Sequence, residues 1–153
     1  MEQYYDLLII GAGPGGYVAA KKAAKLGMSV AVVDKDELGG TCINRGCIPT
    51  KALIHAASLF REMRECEQFG LSAGEVVFDL RKIYEYKDLS AAEMRAELER
   101  EFAQAGIRFI KGKAVIQSDR RVRVVSDGND TAYYKGMQYH FHLIQRAPCG
   151  HSG

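Results

Sequence analysis

Apolar positions in the first part of this chain fall into compact runs separated by a stretch with helix-forming composition. Residues 4–10 and 29–33 are short, apolar and β-prone, whereas the alanine-rich residues between them, ending near Leu26, favour a helix. The pattern therefore predicts a strand, a helix and a second strand at the N-terminus, the unit from which α/β proteins are built.

Two longer stretches with helical periodicity follow this unit. Residues 49–69 have an amphipathic pattern, and residues 80–105 end at Gly106, which suits a helix C-terminus. Opposite charges interleave over residues 93–101, and we interpret them as a solvated helix face. Three short β-prone runs come next and predict a β-meander: 107–110, 114–117 and 122–126.

A glycine-rich turn joins the first strand to the first helix. Gly11 would make the tight turn, Gly13 would let the backbone approach a pyrophosphate, and Gly16 would permit close packing of the helix. The helix N-terminus would then face the phosphates. Asp34 ends the second strand, close to the position expected for an acidic residue that binds a ribose hydroxyl. The sequence thus predicts a dinucleotide site.

Cys42 and Cys47 form a close pair just after this unit. A zinc site needs a second pair of ligands, and the remaining cysteines, Cys66 and Cys149, lie far apart in the sequence. Glycines surround the pair, and Pro49 suits the first turn of a following helix, so Cys47 is expected near a helix N-terminus. The helix dipole and Lys51 would stabilise a thiolate there. Spacing alone leaves both a redox pair and inert thiols open.

The glycine turn, Asp34 and residues 38–53 together resemble the flavin-dependent disulfide oxidoreductases, and the likeness extends over most of residues 3–132. It implies a Rossmann-like α/β FAD-binding domain, incomplete and with a β-meander insertion, over residues 1–132. Residues 48–55 are most similar to the dihydrolipoyl dehydrogenase branch. A glutathione- or mercuric-reductase-like fragment, a non-catalytic FAD-binding module and a chain too incomplete to fold stay open as alternatives.

The resemblance also implies roles for individual residues. Cys47 would lie against the flavin as a thiolate, Cys42 would exchange with the substrate dithiol, and Lys51 would approach the flavin ring. Asp34 departs from the family pattern, in which glutamate is frequent, so its ribose contact is expected to be longer. The expected cofactor-binding residues are Gly11, Gly13, Pro14, Gly16, Asp34, Lys35, Gly40, Thr41, Cys42, Lys51 and Gly112.

Partners follow from the same resemblance. Electrons would pass between a lipoyl-type dithiol, the cysteine pair, FAD and NAD, with NAD and a homodimer expected only for a full-length enzyme. The N-terminus is acidic and the apolar run after it is too short for a signal or spanning segment, which favours a cytoplasmic protein. No nucleic-acid or membrane partner is expected.

Residues 133–153 depart from the family pattern, and we interpret them as an atypical, aberrant or out-of-frame tail. A metal set of His140, His142, Cys149 and His151 is disfavoured because nothing flanking it would hold the ligands, so no metal is expected. We also expect the isolated chain to lack NAD-linked turnover and its sheet to lack strands.

Overall fold

The computed structural model describes residues 3–119, 121–126 and 131–141, without the side chains of Thr131 and of residues 138–141. The strands are β1 Gln3–Ile10, β2 Val30–Asp34, β3 Arg108–Lys111, β4 Lys113–Ile116, β5 Val122–Val125 and β6 Thr131–Phe141. The helices are α1 Pro14–Lys25, α2 Gly40–Arg45, α3 Cys47–Arg64 and α4 Leu80–Gln104. A short 3-10 turn, Cys66–Phe69, follows α3.

The strands form one six-stranded sheet in the order β3-β2-β1-β6-β5-β4. Strand β1 lies between β2 and β6 and is parallel to both, with Ile9 opposite Val32 on one side and His140 on the other. Strand β3 extends the parallel half beyond β2, whereas β5 is antiparallel to both of its neighbours, β6 and β4. The sheet therefore joins a parallel unit to a meander.

Both faces of the parallel strands are covered, which explains their near-continuous apolar sequences. On one face Ile9 and Val32 pack with α1 and with Leu98 and Phe102 of α4. On the other face Leu8 and its neighbours pack with Val122, Val124 and Tyr134 of the meander. Helices therefore bury one side of the nucleotide-binding unit and the meander buries the other.

The strands that form the meander are not all those that the sequence predicts. Residues 107–110 were assigned to it, but β3 pairs in parallel with β2. Helix α4 returns the chain to the sheet beside β2, and such a crossover makes the following strand parallel. The third strand of the meander is instead β6, within the segment where a tail was predicted.

The segment predicted as a tail begins inside β6. This strand starts at Thr131, two residues before the predicted boundary, and continues to Phe141 between β1 and β5. The expectation that nothing flanks this segment was therefore wrong for residues 133–141. The tail's origin stays a prediction, and residues 142–153 lie outside the described residues. The predicted helix over 49–69 also ends early, at Arg64.

Helix α4 ends as the sequence predicts, through Gly106. This residue has a φ of +67° and donates its N–H to the Ala103 carbonyl oxygen at 3.2 Å, while the Ile107 N–H reaches Phe102 at 2.9 Å. These two bonds form a Schellman motif, which satisfies carbonyls that the helix leaves over.

Replacing Gly106 with alanine is expected to destabilise the chain by about 1 kcal/mol, because a β-carbon disfavours the left-handed region. Apart from its chain neighbours, no described residue has an atom within 4 Å of that β-carbon, so strain alone is tested. The midpoint of urea unfolding measures the effect, with exposed Ala103→Ser on the same helix as the control. An unchanged midpoint for Gly106→Ala would contradict the assignment.

No helix in the described part of the chain is long and apolar enough to cross a membrane.

Candidate nucleotide and dithiol site

The glycine turn links the end of β1 to the start of α1. Gly11 has a φ of +108° and donates its N–H to the Val33 carbonyl oxygen at 2.8 Å, which ties the turn to β2. Gly13 is the N-cap of α1 and Pro14 its first residue. Because proline has no N–H to leave unsatisfied, it suits this position. The turn therefore leads directly from the end of β1 into the first turn of α1.

Gly16 faces the turn across a very short gap. A β-carbon at this position would lie 1.8 Å from the Gly11 carbonyl oxygen. The obstacle is a backbone atom, which cannot rotate away as a side chain can. Only glycine therefore lets α1 pack this closely against the end of β1.

The N-terminus of α1 is suited to a phosphate. Its first turn contains no acidic residue, and no side chain among those described caps it. The first N–H groups of a helix have no intrahelical acceptor, and the helix dipole favours an anion beside them. Residues 11–16 therefore fit the pyrophosphate of a dinucleotide.

Asp34 supports this turn from the end of β2. Its carboxylate oxygens accept the N–H of Ala12 at 2.7 Å and the N–H of Asp36 at 2.9 Å, and its carbonyl oxygen accepts the N–H of Gly112 at 2.8 Å. Lys35 beside it is exposed. Asp34 is thus a brace for the glycine turn, a role that the sequence reasoning did not assign to it. Its predicted ribose contact stays a prediction.

The loop that carries the cysteines is attached directly to the glycine turn. The Gly39 N–H donates to the Ala12 carbonyl oxygen at 3.0 Å. A β-carbon on Gly40, the first residue of α2, would lie 2.8 Å from the Gly13 Cα. Both predicted sites are therefore parts of one structural unit, with Thr41 exposed at their junction.

The two cysteines lie on successive helices. Cys42 is half-buried in α2, and Cys47 is exposed as the first residue of α3, as the position of Pro49 predicts. Among the described cysteines both carry free thiols. Gly46 separates the two helices, and a β-carbon there would lie 3.0 Å from the Thr41 carbonyl oxygen. This close approach of Gly46 to Thr41 turns the chain so that Cys47 lies back towards Cys42.

The two thiols and Lys51 interact. The pKa of the Cys42 thiol is raised, first by a hydrogen bond with the Cys47 side chain, then by partial burial and by the nearby Cys47 charge. The Cys47 backbone N–H and the Lys51 ammonium oppose this effect. The structure therefore pairs the two predicted thiols and places Lys51 within electrostatic range of Cys42.

Alkylation of Cys42 in the folded chain is expected to follow a pH profile displaced upward from that of an unfolded peptide thiol. Its pKa is raised, so the reactive thiolate forms at higher pH. Iodoacetamide labelling across a pH series, with each cysteine resolved by peptide mass spectrometry, measures this. The Cys47→Ala chain, which lacks the hydrogen-bond partner, should shift back towards the ordinary profile. A Cys42 profile equal to that of the unfolded peptide would contradict the arrangement.

Two residues of the site escaped the sequence reasoning. Asn44, between the cysteines, donates its side-chain amide to the carbonyl oxygens of Leu38 at 3.1 Å and Gly40 at 2.9 Å. Arg95 donates to the Asn44 side-chain oxygen at 2.9 Å, although it was assigned to a solvated face. Arg95 lies four residues after Ala91 and three before Leu98. This spacing places it on the apolar face of the helix, and it was the available sign that Arg95 is not simply solvated.

The remaining predicted residues are Gly112, which is bonded to Asp34 at the edge of this unit, and the histidines and cysteine of the disfavoured metal set. Gly112 is buried between β3 and β4, where a β-carbon would meet Val124 at 2.6 Å. No group of three metal-binding side chains occurs among the residues described. The backbone of His140 is in β6, but its side chain and the other members of the disfavoured metal set are outside the described residues.

The fold and the site define a class of protein, namely an α/β nucleotide-binding domain with a thiol pair beside its glycine turn. The chain matches the family model for pyridine nucleotide-disulphide oxidoreductase over residues 5–139 and belongs to that family. The predicted family and the Rossmann-like α/β fold are confirmed, and the oxidoreductase class is confirmed at the level of the family. The family is FAD-binding, which confirms the predicted cofactor at the level of the family.

A curated relative agrees with the family assignment, and two solved structures agree with the fold. Dihydrolipoyl dehydrogenase 3 of Haloarcula marismortui is 42% identical over 80% of this chain. The solved structure of LpdA from Mycobacterium tuberculosis aligns with a TM-score of 0.82 at 23% identity over 91% of the chain. That of RclA, an HOCl-induced flavoprotein disulfide reductase from Escherichia coli solved as a Cu(II) complex, aligns at 0.75 and 26% over 92%.

The chain spans about a quarter of these longer proteins, namely 26% of the Haloarcula protein, 31% of LpdA and 28% of RclA.

Proposed function

We propose that this chain holds FAD and supplies the redox-active cysteine pair of an enzyme of the dihydrolipoyl dehydrogenase type. One observation carries the proposal: the loop bearing the cysteines is joined to the glycine turn through Gly39 and Gly40. A cofactor whose pyrophosphate lies on the turn would therefore have the dithiol within the same rigid unit. Two unrelated sites would have no reason to share a backbone contact.

The residues present suit FAD at its polar end. The N-terminus of α1 would receive the pyrophosphate, and Gly40 and Thr41 would approach the phosphate and ribitol. Asp34 and Lys35 would lie on the ribose side and Gly112 on the adenine side. Each oxygen of the Asp34 carboxylate has a lone pair beyond the one used for an N–H, so it can also accept a ribose hydroxyl. FAD, when bound, supplies a two-electron acceptor for the reduced pair.

Cys42 and Cys47 would carry out thiol-disulfide exchange. In the proposed direction they begin as a disulfide, and one substrate thiolate attacks the Cys42 sulfur and releases Cys47 as a thiolate. The second substrate thiol then displaces Cys42, which leaves a cyclic substrate disulfide and the reduced pair. Two electrons pass from substrate to protein, and Lys51 would stabilise negative charge on the thiolates.

The substrate that we propose is a lipoyl-type dithiol. Two features support it: residues 48–55 resemble the dihydrolipoyl dehydrogenase branch, and the Haloarcula relative has that name. We also propose NAD as the final acceptor, a homodimer as the complete enzyme and a cytoplasmic location.

Disulfide mapping tests the proposal. The purified chain is incubated with oxidised lipoamide, alkylated and digested, and its peptides are identified by mass spectrometry. We expect a linked peptide that joins Cys42 to Cys47, and its loss on adding dihydrolipoamide. Cys66, on the 3-10 turn with its thiol near the Leu71 carbonyl oxygen, serves as the internal control and should remain unlinked. Separate alkylation of Cys42 and Cys47 throughout would contradict the proposal.

A further inference from the structure

Arg95 occupies an unexpected place on α4. The buried positions of this helix are Ala91, Leu98 and Phe102, and Arg95 lies between them on the same helical face. A guanidinium within an apolar stripe loses hydration, and this costs free energy unless a polar partner replaces the water. The partner is the side-chain oxygen of Asn44, 2.9 Å away and 51 positions earlier in the sequence.

Asn44 transmits this contact to the turn before the cysteines. Its amide nitrogen donates to the carbonyl oxygens of Leu38 at 3.1 Å and Gly40 at 2.9 Å, with Glu37 further away at 3.5 Å. Leu38 and Gly40 flank Gly39, whose N–H bonds the glycine turn. A single amide therefore fixes both the start of α2 and the path between the cysteines.

We propose that Arg95 is a positioning residue that, through Asn44, holds Cys42 and Cys47 at the separation needed for disulfide formation. The proposal rests on the proposed function in that the pair is redox-active. Helix α4 is anchored independently in the core by Leu98 and Phe102, so it provides a fixed support for a loop of two short helical segments.

The consequence for redox chemistry has a definite sign. When oxidised glutathione oxidises the pair, one disulfide forms in the protein, the glutathione disulfide breaks, and two reduced glutathione molecules take up the protons. Preorganising the two thiols raises their effective concentration and favours the protein disulfide. Loosening the brace therefore makes the protein disulfide easier to reduce.

The equilibrium constant for exchange with glutathione tests this. The glutamine of Arg95→Gln is too short to keep the hydrogen bond to Asn44. We expect this change to lower the equilibrium constant for disulfide formation about tenfold, which corresponds to the loss of one hydrogen bond to a charged group. The control is Arg100→Gln, an exposed arginine on the same helix, which should leave the constant within about twofold. Arg95→Lys, which keeps the charge and one donor group, should give an intermediate value.

Two further readouts separate positioning from simple loss of fold. Far-UV circular dichroism should be unchanged in Arg95→Gln, and alkylation of Cys42 should become faster as its contact with Cys47 loosens. Should Arg95→Gln fail to fold, Arg95→Lys decides, and a constant equal to the wild-type value overturns the proposal. A constant that is unchanged in folded Arg95→Gln, or equally lowered in Arg100→Gln, also overturns it.

Failure of this proposal is distinguishable from failure of the proposed function. If the wild-type chain forms no Cys42–Cys47 disulfide in any glutathione buffer, the proposed function fails first and the positioning role with it. If the disulfide forms normally and Arg95→Gln does not change its constant, only the positioning role fails.

Discussion

The Gly16→Ala chain is expected to elute without flavin after incubation with FAD and to unfold at a lower urea concentration than the wild-type chain. The added β-carbon would lie 1.8 Å from the Gly11 carbonyl oxygen. Helix α1 must then move away from β1, which withdraws its N-terminus from the phosphates. Overpacking of this kind costs up to about 3 kcal/mol.

Visible absorbance of the eluted protein and urea unfolding measure the two parts of this effect. Val18→Ala is the matched control, because Val18 lies on the same helix with 56% of its surface exposed. It should keep the flavin and change stability by no more than about 0.5 kcal/mol. A Gly16→Ala chain that retains flavin at the wild-type level would show that α1 does not hold the pyrophosphate.

Replacing either Cys42 or Cys47 with serine is expected to lower the rate at which dihydrolipoamide reduces the bound flavin by several orders of magnitude. A single thiol cannot form the Cys42–Cys47 disulfide that the substrate thiolate attacks, so the exchange that delivers two electrons has no acceptor. Anaerobic loss of visible flavin absorbance after adding dihydrolipoamide measures the rate.

Cys66→Ser is the matched control for these replacements, because its thiol contacts the Leu71 carbonyl oxygen and lies on the 3-10 turn. It should reduce the flavin at the wild-type rate, and both serine variants at the pair should still bind FAD. Fast reduction in Cys47→Ser would show that the pair does not carry the electrons.

Local signals were sufficient to predict the nucleotide half of the molecule. The compact runs ending at Ile10 and Asp34 became β1 and β2, and Gly106 ends α4, because turns and caps depend on neighbouring residues alone. The position of Cys47 at a helix N-terminus also followed from nearby Pro49. These features are encoded within a few residues of where they occur.

Features that depend on distant residues were not predicted. Whether residues 107–110 pair with β2 or with the meander is decided by where α4 returns the chain, which no local pattern records. The contact between Arg95 and Asn44 was not predicted for the same reason, because a charged residue on a helix is assumed to face solvent unless a distant partner is known. Strand β6 was missed because it pairs with β1, which lies at the start of the chain, and no pattern local to residues 131–141 records that pairing.

The visible spectrum of the purified wild-type chain tests the central claim most directly. The chain is incubated with FAD, separated from unbound cofactor by gel filtration, and then treated anaerobically with dihydrolipoamide. We expect flavin absorbance that elutes with the protein and disappears on adding the dithiol. Protein that elutes without colour, or bound flavin that the dithiol leaves unchanged, would contradict it.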